Sequence, residues 1–207
     1  MSIFAKPQKD QNDNQFGVKV LFLHGLEGSS IGEKPQHLKK TWGALSPQIR
    51  TSELIELKSK CSGQWDTLEY DEIYEAMGPS YSDAIDAVTY MKPDIVVGSS
   101  LGAALLYRMM AEGEYEGPAL FLAPAIPSLL SPETIKEGKK ILRESTSVWL
   151  LGETDQIVSN SDNISIAKSC NGNVMMSPSD GHRLQNAVAS GLLDAALLTV
   201  VEMLFRQ

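Results

Sequence analysis

The stretch that narrows the possible folds furthest is Pro93-Asp94-Ile95-Val96-Val97-Gly98-Ser99-Ser100-Leu101-Gly102-Ala103-Ala104-Leu105-Leu106. A β-branched apolar run stops at a glycine. Two serines follow, then a second glycine and a row of good helix formers. The pattern predicts a buried strand, a sharp turn and a helix. Gly98, Ser100 and Gly102 fit G-x-S-x-G, a strand-turn-helix elbow that holds its serine in a strained conformation with the hydroxyl exposed. Glycine two residues to either side, with Ala103 and Ala104 behind, lets the helix start close against the strand. The helix N-terminus there favours developing negative charge. A Gly/Ser turn with no chemistry would share the spacing, so the rest of the chain has to decide.

Short apolar runs alternate with helical patterns along most of the 207 residues. Strands are expected at 18–23, 49–57, 93–97, 118–123, 147–151 and 173–176. Helices are expected at 34–45, 82–91, from 101 onward, 131–143, near 163–169, and as mainly one C-terminal helix over 184–206. Residues 58–79 read as loop with a short helix at 71–77. Pro93 halts the helix before it, and Ser131-Pro132-Glu133 starts the next important one. Alternation of this kind implies an α/β fold, a mostly parallel sheet with helices on both faces. Residues 1–16, rich in Gln, Asn, Asp and Lys, read as a flexible N-terminal extension, and 17–207 as one domain. At 43% hydrophobic residues the chain can fill a sizeable core.

In open α/β sheets reactive residues sit in loops at the carboxyl ends of strands. Four such loops carry suitable groups. The elbow supplies Ser100. The first strand runs into His24-Gly25-Leu26, the 147–151 strand into Gly152-Glu153-Thr154-Asp155, and the last strand into Ser179-Asp180-Gly181-His182. The order Ser100, Asp155, His182 is nucleophile, acid, base. Glu153 and Asp162 compete with Asp155 for the acid, and Asp180 reads as a turn residue. Among three histidines, His24 reads as shaping its loop, and His37, in a lysine-rich helical stretch, as solvated. Ser29, Ser30 and Ser99 are pocket hydroxyls or turn formers. Trp65, Tyr70 and Tyr74 line an acyl pocket or pack elsewhere.

Other chemistries fit poorly. The formal net charge of −8 argues against nucleic acid and anionic membrane surfaces as partners. The Gly-rich stretch 25–34 lacks the Gly-Lys-Ser/Thr of a Walker A loop and the spacing of a dinucleotide fingerprint. No metal-ligand spacing is evident, and Cys61 and Cys170 read as free thiols. No cofactor is expected. No stretch reads as a signal peptide or membrane span, so a cytoplasmic protein is expected.

The segments Leu21–Ser30, Val97–Gly102, Gly152–Val158 and Gly181–Arg183 together resemble the α/β-hydrolase superfamily, and within it the small lidless serine esterases of the bacterial YqiA-like group. The four motifs span nearly the whole chain after residue 17. The resemblance implies a minimal α/β-hydrolase fold without a cap domain and a carboxylesterase acting on a small ester. A thioesterase or peptidase-like hydrolase with the same triad is the alternative, and a non-catalytic binding protein a further one. Ser100 would be the nucleophile, His182 the base and Asp155 its partner. The backbone N–H groups of Leu26 and Leu101 would form the oxyanion hole. His24 and Gly25 would shape that loop, and Gly98 and Gly102 the elbow. The 123–146 segment is too short for a cap. An open pocket, roofed partly by 124–130, is expected.

Overall fold

The computed structural model describes residues 16–206. Five strands form one sheet: β1 (Val20–Leu23), β2 (Ile95–Ser99), β3 (Ala119–Leu122), β4 (Ser147–Gly152) and β5 (Asn173–Ser177). They lie in sequence order and every pair is parallel, with Val20 opposite Ile95, Val97 opposite Leu120 and Phe121 opposite Trp149. The helices are α1 (Glu33–Trp42), α2 (Ser52–Lys60), α3 (Tyr70–Met91), α4 (Leu101–Glu112), α5 (Ile126–Leu129), α6 (Pro132–Leu142), α7 (Asn160–Ser169), α8 (Gln185–Ala189) and α9 (Leu192–Leu204).

Two packed layers follow from strand alternation. Leu21, Leu23, Val96, Phe121 and Trp149 point to one face, where residues of α2 to α7 cover them. Val20, Phe22, Val97, Leu120 and Leu150 point to the other, under α1, α8 and α9. Handedness explains the division. Right-handed crossovers that always step the same way along a sheet put their helices on one face. After β1 the chain first steps the other way: Leu45 makes a single parallel bridge to Leu21, with Phe22 N–H donating to the Leu45 carbonyl at 2.8 Å. That opposite step puts α1 on the opposite face. The chain then turns back through α2 and α3 to β2.

The sequence expectations hold for the five strands above and fail in the segment between β1 and β2. The strand expected at 49–57 is absent: Leu45 supplies the one bridge, and Ser52–Lys60 is α2. Leu54 is buried while Ile55 is 43% exposed, a one-sided helical pattern in a polar stretch. The loop with a short helix at 71–77 and the helix at 82–91 are one continuous helix, α3, with Pro79 inside it. Gly78 before the proline has no Cβ to clash with the ring, which removes the usual bar to helical backbone there. The single C-terminal helix is two, broken at Gly191 with φ 77°. The extension expected over residues 1–16 lies outside the described residues except for Phe16, whose ring stacks on Trp42 at 5.2 Å. His37 is not simply solvated. Its Nε2 lies 2.8 Å from Asp194 of α9, which also accepts from Trp42 Nε1 at 2.7 Å. No described helix is long and apolar enough to cross a membrane.

Helix α6 packs on α4 through a glycine. A Cβ built on Gly138 would lie 2.2 Å from Cε1 of Tyr107. That ring is fully buried, packs edge-on to Trp149 and donates its hydroxyl to the Ile135 carbonyl at 2.8 Å. It has no room to retreat. Alanine is worth about 1 kcal/mol over glycine inside an exposed helix, but here overpacking of about 1–3 kcal/mol outweighs it. Gly138→Ala should therefore lower the melting temperature, seen by calorimetry. A raised melting temperature would contradict this packing.

Candidate active site

The site begins where β2 ends. Ser100 has φ 53° and ψ −110°, a conformation that side chains rarely adopt. It is held from three sides. Its N–H donates to the Leu122 carbonyl at 2.9 Å, and its carbonyl accepts from Ala125 at 3.2 Å and from Ala104 at 3.1 Å. The flanking glycines permit this. A Cβ on Gly102 would lie 2.1 Å from the Leu23 carbonyl oxygen, and one on Gly98 would lie 2.6 Å from the Ala103 Cα. Helix α4 therefore starts directly against the ends of β1 and β2.

Two further loops bring their side chains to Ser100. His182 Nε2 lies 2.8 Å from Ser100 Oγ, and His182 Nδ1 lies 2.9 Å from Asp155 Oδ2. The hydrogen-bond network assigns the proton to Nδ1, which donates to the carboxylate, while Nε2 accepts from the serine hydroxyl. Asp155 Oδ1 accepts from the N–H groups of Ile157 at 2.9 Å and Val158 at 3.1 Å. Burial pushes the Asp155 carboxyl up, but the hydrogen bonds from His182, Val158 and Ile157 together hold it below its ordinary range. Hydroxyl, imidazole and carboxylate thus stand in one hydrogen-bonded line, in which the hydroxyl proton can pass to the imidazole while the carboxylate stays ionised.

Asp180 fixes the loop that carries His182. It is buried, and it accepts from Ser177 Oγ at 2.6 Å and from the N–H groups of Asn186 at 2.9 Å and Ala187 at 2.8 Å. It is more than a turn residue, because it caps α8 and ties β5 to it. Glu153 accepts from the Ser179 N–H at 3.2 Å, on the same loop. Asp162 lies in the first turn of α7, exposed to solvent.

The loop after β1 forms the opposite wall. Gly28 N–H closes a tight turn onto the Gly25 carbonyl at 2.9 Å. A Cβ on Gly25 would touch Ser100 Cβ at 3.2 Å, so the loop lies against the elbow. His24 is buried, its Nδ1 2.9 Å from the Gly25 carbonyl and its Nε2 accepting from Ile49 N–H at 3.1 Å. Burial holds its pKa below the ordinary value against the raising pull of that carbonyl. A neutral His24 braces the loop and stands apart from the Ser100 line. The backbone N–H groups of Leu26 and Leu101 have no backbone acceptor among the described residues, and both residues line the cavity at Ser100.

That cavity has a volume of about 430 Å³ and opens to solvent. Ala125, Ser128 and Leu129 contribute to it from the 123–146 segment, which holds two helices, not the one expected. Trp65, Ser29 and Ser99 also line it. Tyr70 and Tyr74 do not. Tyr74 bonds Thr134 Oγ1 at 2.7 Å and accepts from Ser131 N–H at 3.0 Å, securing the start of α6. Sequence reasoning missed Lys34 and Arg183, both of which line the cavity. The Lys34 ammonium donates to the Arg183 carbonyl at 2.5 Å, beside His182. Among the described residues no group of three or more His, Cys, Asp or Glu side chains could hold a metal ion. Cys61 and Cys170 are both unpaired.

No family model matches the sequence, and no curated protein sequence is significantly similar to it. Solved structures are similar. Est1E from Butyrivibrio proteoclasticus, with ferulic acid bound, has a TM-score of 0.61 at 12% identity, covering 92% of this chain and 89% of that one. A structure of the alpha/beta hydrolase superfamily from Xanthomonas campestris pv. campestris has a TM-score of 0.57 at 17% identity, over 92% of this chain and 99% of that one. This chain has the α/β-hydrolase fold. A thioesterase domain from the curacin biosynthetic pathway shares the fold with a TM-score of 0.56 at 12% identity, over 89% of this chain and 92% of that one. Within the α/β-hydrolase fold of this chain, the elbow, the acid loop and the histidine loop all lie at the carboxyl edge of the sheet.

The Asp155 carboxyl makes a pH-dependent contribution to stability. A carboxyl whose pKa is lowered by folding stabilises above its unfolded value, and that stabilisation is lost as pH falls through the folded value. The unfolded value is about 3.9. The stability advantage of the native chain over Asp155→Asn should therefore be full above about pH 4 and shrink below it. Chemical denaturation across that range measures it. A difference that stays constant into strong acid would contradict the hydrogen-bonding described.

Proposed function

We propose that the protein is a serine hydrolase that cleaves carboxylic esters through an acyl-enzyme. The observation that carries this reading is the line of contacts from Ser100 Oγ to His182 Nε2, at 2.8 Å, and from His182 Nδ1 to Asp155, at 2.9 Å. A serine hydroxyl is a weak nucleophile without an adjacent base. In this reading Ser100 Oγ attacks the ester carbonyl carbon while His182 Nε2 takes its proton. Asp155 keeps the imidazole in the required tautomer and stabilises the imidazolium. The tetrahedral oxyanion accepts hydrogen bonds from the backbone N–H groups of Leu26 and Leu101, each worth about 2.7–4 kcal/mol. The intermediate collapses, the C–O bond to the alcohol breaks, and His182 protonates the leaving oxygen. Water then attacks the acyl-serine with His182 again as base, releasing the acid and restoring Ser100.

The open cavity, roofed in part by Ala125, Ser128 and Leu129, suits a small ester or an exposed ester on a larger molecule. Its chemistry calls on no cofactor. The four loop motifs align the chain with the lidless serine esterases of the YqiA-like group, and we place its work in the cytoplasm. The same atoms would serve a thioester or an amide, so matched ester, thioester and amide substrates rank the three by kcat/KM.

A fluorophosphonate probe should label Ser100. Ser100→Ala should abolish labelling and lower kcat on short p-nitrophenyl esters by roughly 10⁴- to 10⁶-fold. Because the imidazole must be neutral to accept the proton, kcat/KM should rise from acid toward neutral pH. A folded protein whose Ser100 resists the probe, and which binds ligands without turnover, would make this a non-catalytic binding protein.

A further inference from the structure

The cavity beside Ser100 is lined by three cations, Lys34, Lys58 and Arg183, and by two carboxylates, Glu27 and Glu33. This positive balance is set in a chain of formal net charge −8. The charges are unequally satisfied. Lys58 Nζ is 2.6 Å from Glu27 Oε1, and Arg183 is 3.8 Å from Glu27 Oε2. Lys34 makes no comparable pair among the described residues. Its ammonium has the Arg183 carbonyl at 2.5 Å and keeps two further N–H donors. It is partly buried, and burial lowers its pKa against the raising pull of Glu33 and Asp180. The ammonium thus has donor capacity left over, which an anionic oxygen in the cavity would take up. The first turn of α1 lines the same cavity, and its N-cap, Gly32, has no side chain to accept from it.

We propose that the substrate of this site carries a carboxylate and that Lys34 selects for it. This rests on the hydrolase reading and adds the charge class of the ester. The carboxylate can sit on the acyl half, as in a half-ester of an aliphatic diacid, or on the alcohol half.

Two substrate pairs separate these cases: p-nitrophenyl hydrogen adipate against p-nitrophenyl hexanoate, and 4-acetoxybenzoate against its methyl ester, with spontaneous hydrolysis subtracted. The native protein should favour the anion of at least one pair by about 10- to 100-fold in kcat/KM, the range of a charge-assisted hydrogen bond. In Lys34→Gln that ratio should fall to about one, and in Lys34→Arg most of it should remain. Reading a ratio within one protein cancels any general loosening of the His182 loop. Calorimetric binding of the same four esters to Ser100→Ala gives a readout that needs no turnover. Turnover of neutral esters with no anion preference in either pair, or a preference unchanged in Lys34→Gln, overturns the inference and leaves the hydrolase reading intact. Anion-selective binding that depends on Lys34, with no turnover of any ester, does the reverse. No anion-selective binding and no turnover overturns both.

Discussion

The structure turns on one close approach. Helix α4 begins so near the end of β1 that a single Cβ on Gly102 would overlap the Leu23 carbonyl. This contact brings a helix N-terminus, the carboxyl ends of β1 and β2, and the Ser100 side chain into one small volume. It requires Ser100 at φ 53°, which costs about 1–3 kcal/mol. Burial of α4 offsets that cost, since Leu101, Leu105, Leu106, Met109 and Met110 are all buried. The hydrogen bonds to Leu122 and Ala125 hold the strained residue in place. Asn163 of α7, buried, braces the far side by donating to the Pro124 carbonyl at 2.9 Å. Strain clusters here more widely. Of the seven non-glycine residues with positive φ among the described residues, four, Ser100, Ala123, Ser179 and Leu184, lie in loops at the carboxyl edge.

Topology explains why this volume forms a crevice. The chain leaves β1 toward Leu45 and later returns to build β2 on the other side. Loops after β1 and β2 therefore diverge to opposite faces, and a cleft opens between them at the switch point. Ser100 and Leu26 stand on its two sides. The later strands then supply what the cleft lacks, an imidazole from the loop after β5 and a carboxylate from the loop after β4. All three side chains hang on strand ends whose positions the buried parallel sheet fixes.

Much of this was legible before any coordinates. The β-branched run at 95–97 and the glycines around Ser100 are local signals tied to a turn that backbone sterics demand, while Asp155 and His182 were legible from their places after strands and from the order nucleophile, acid, base. What escaped depends on distant partners. Ile49 to Leu57 reads as a strand by composition, yet Leu54 alone in α2 is buried, and only the docking of α2 on α3 reveals it. Gly78-Pro79 reads as a helix end, yet glycine before proline tolerates helical backbone. His37 sits in a lysine-rich helix, and the carboxylate that meets it lies 157 residues away in α9. Lys34 had no motif. Its significance comes from sharing a cavity with His182, a fact of the fold.

The most direct measurement is a crystal structure of the protein after reaction with a fluorophosphonate, which leaves a tetrahedral phosphonate on the nucleophile. The account predicts phosphorus bonded to Ser100 Oγ and one phosphonyl oxygen within about 3 Å of both the Leu26 and Leu101 N–H groups, with His182 still paired to Asp155. An adduct on another residue, or a phosphonyl oxygen turned away from those two N–H groups into solvent, would contradict it.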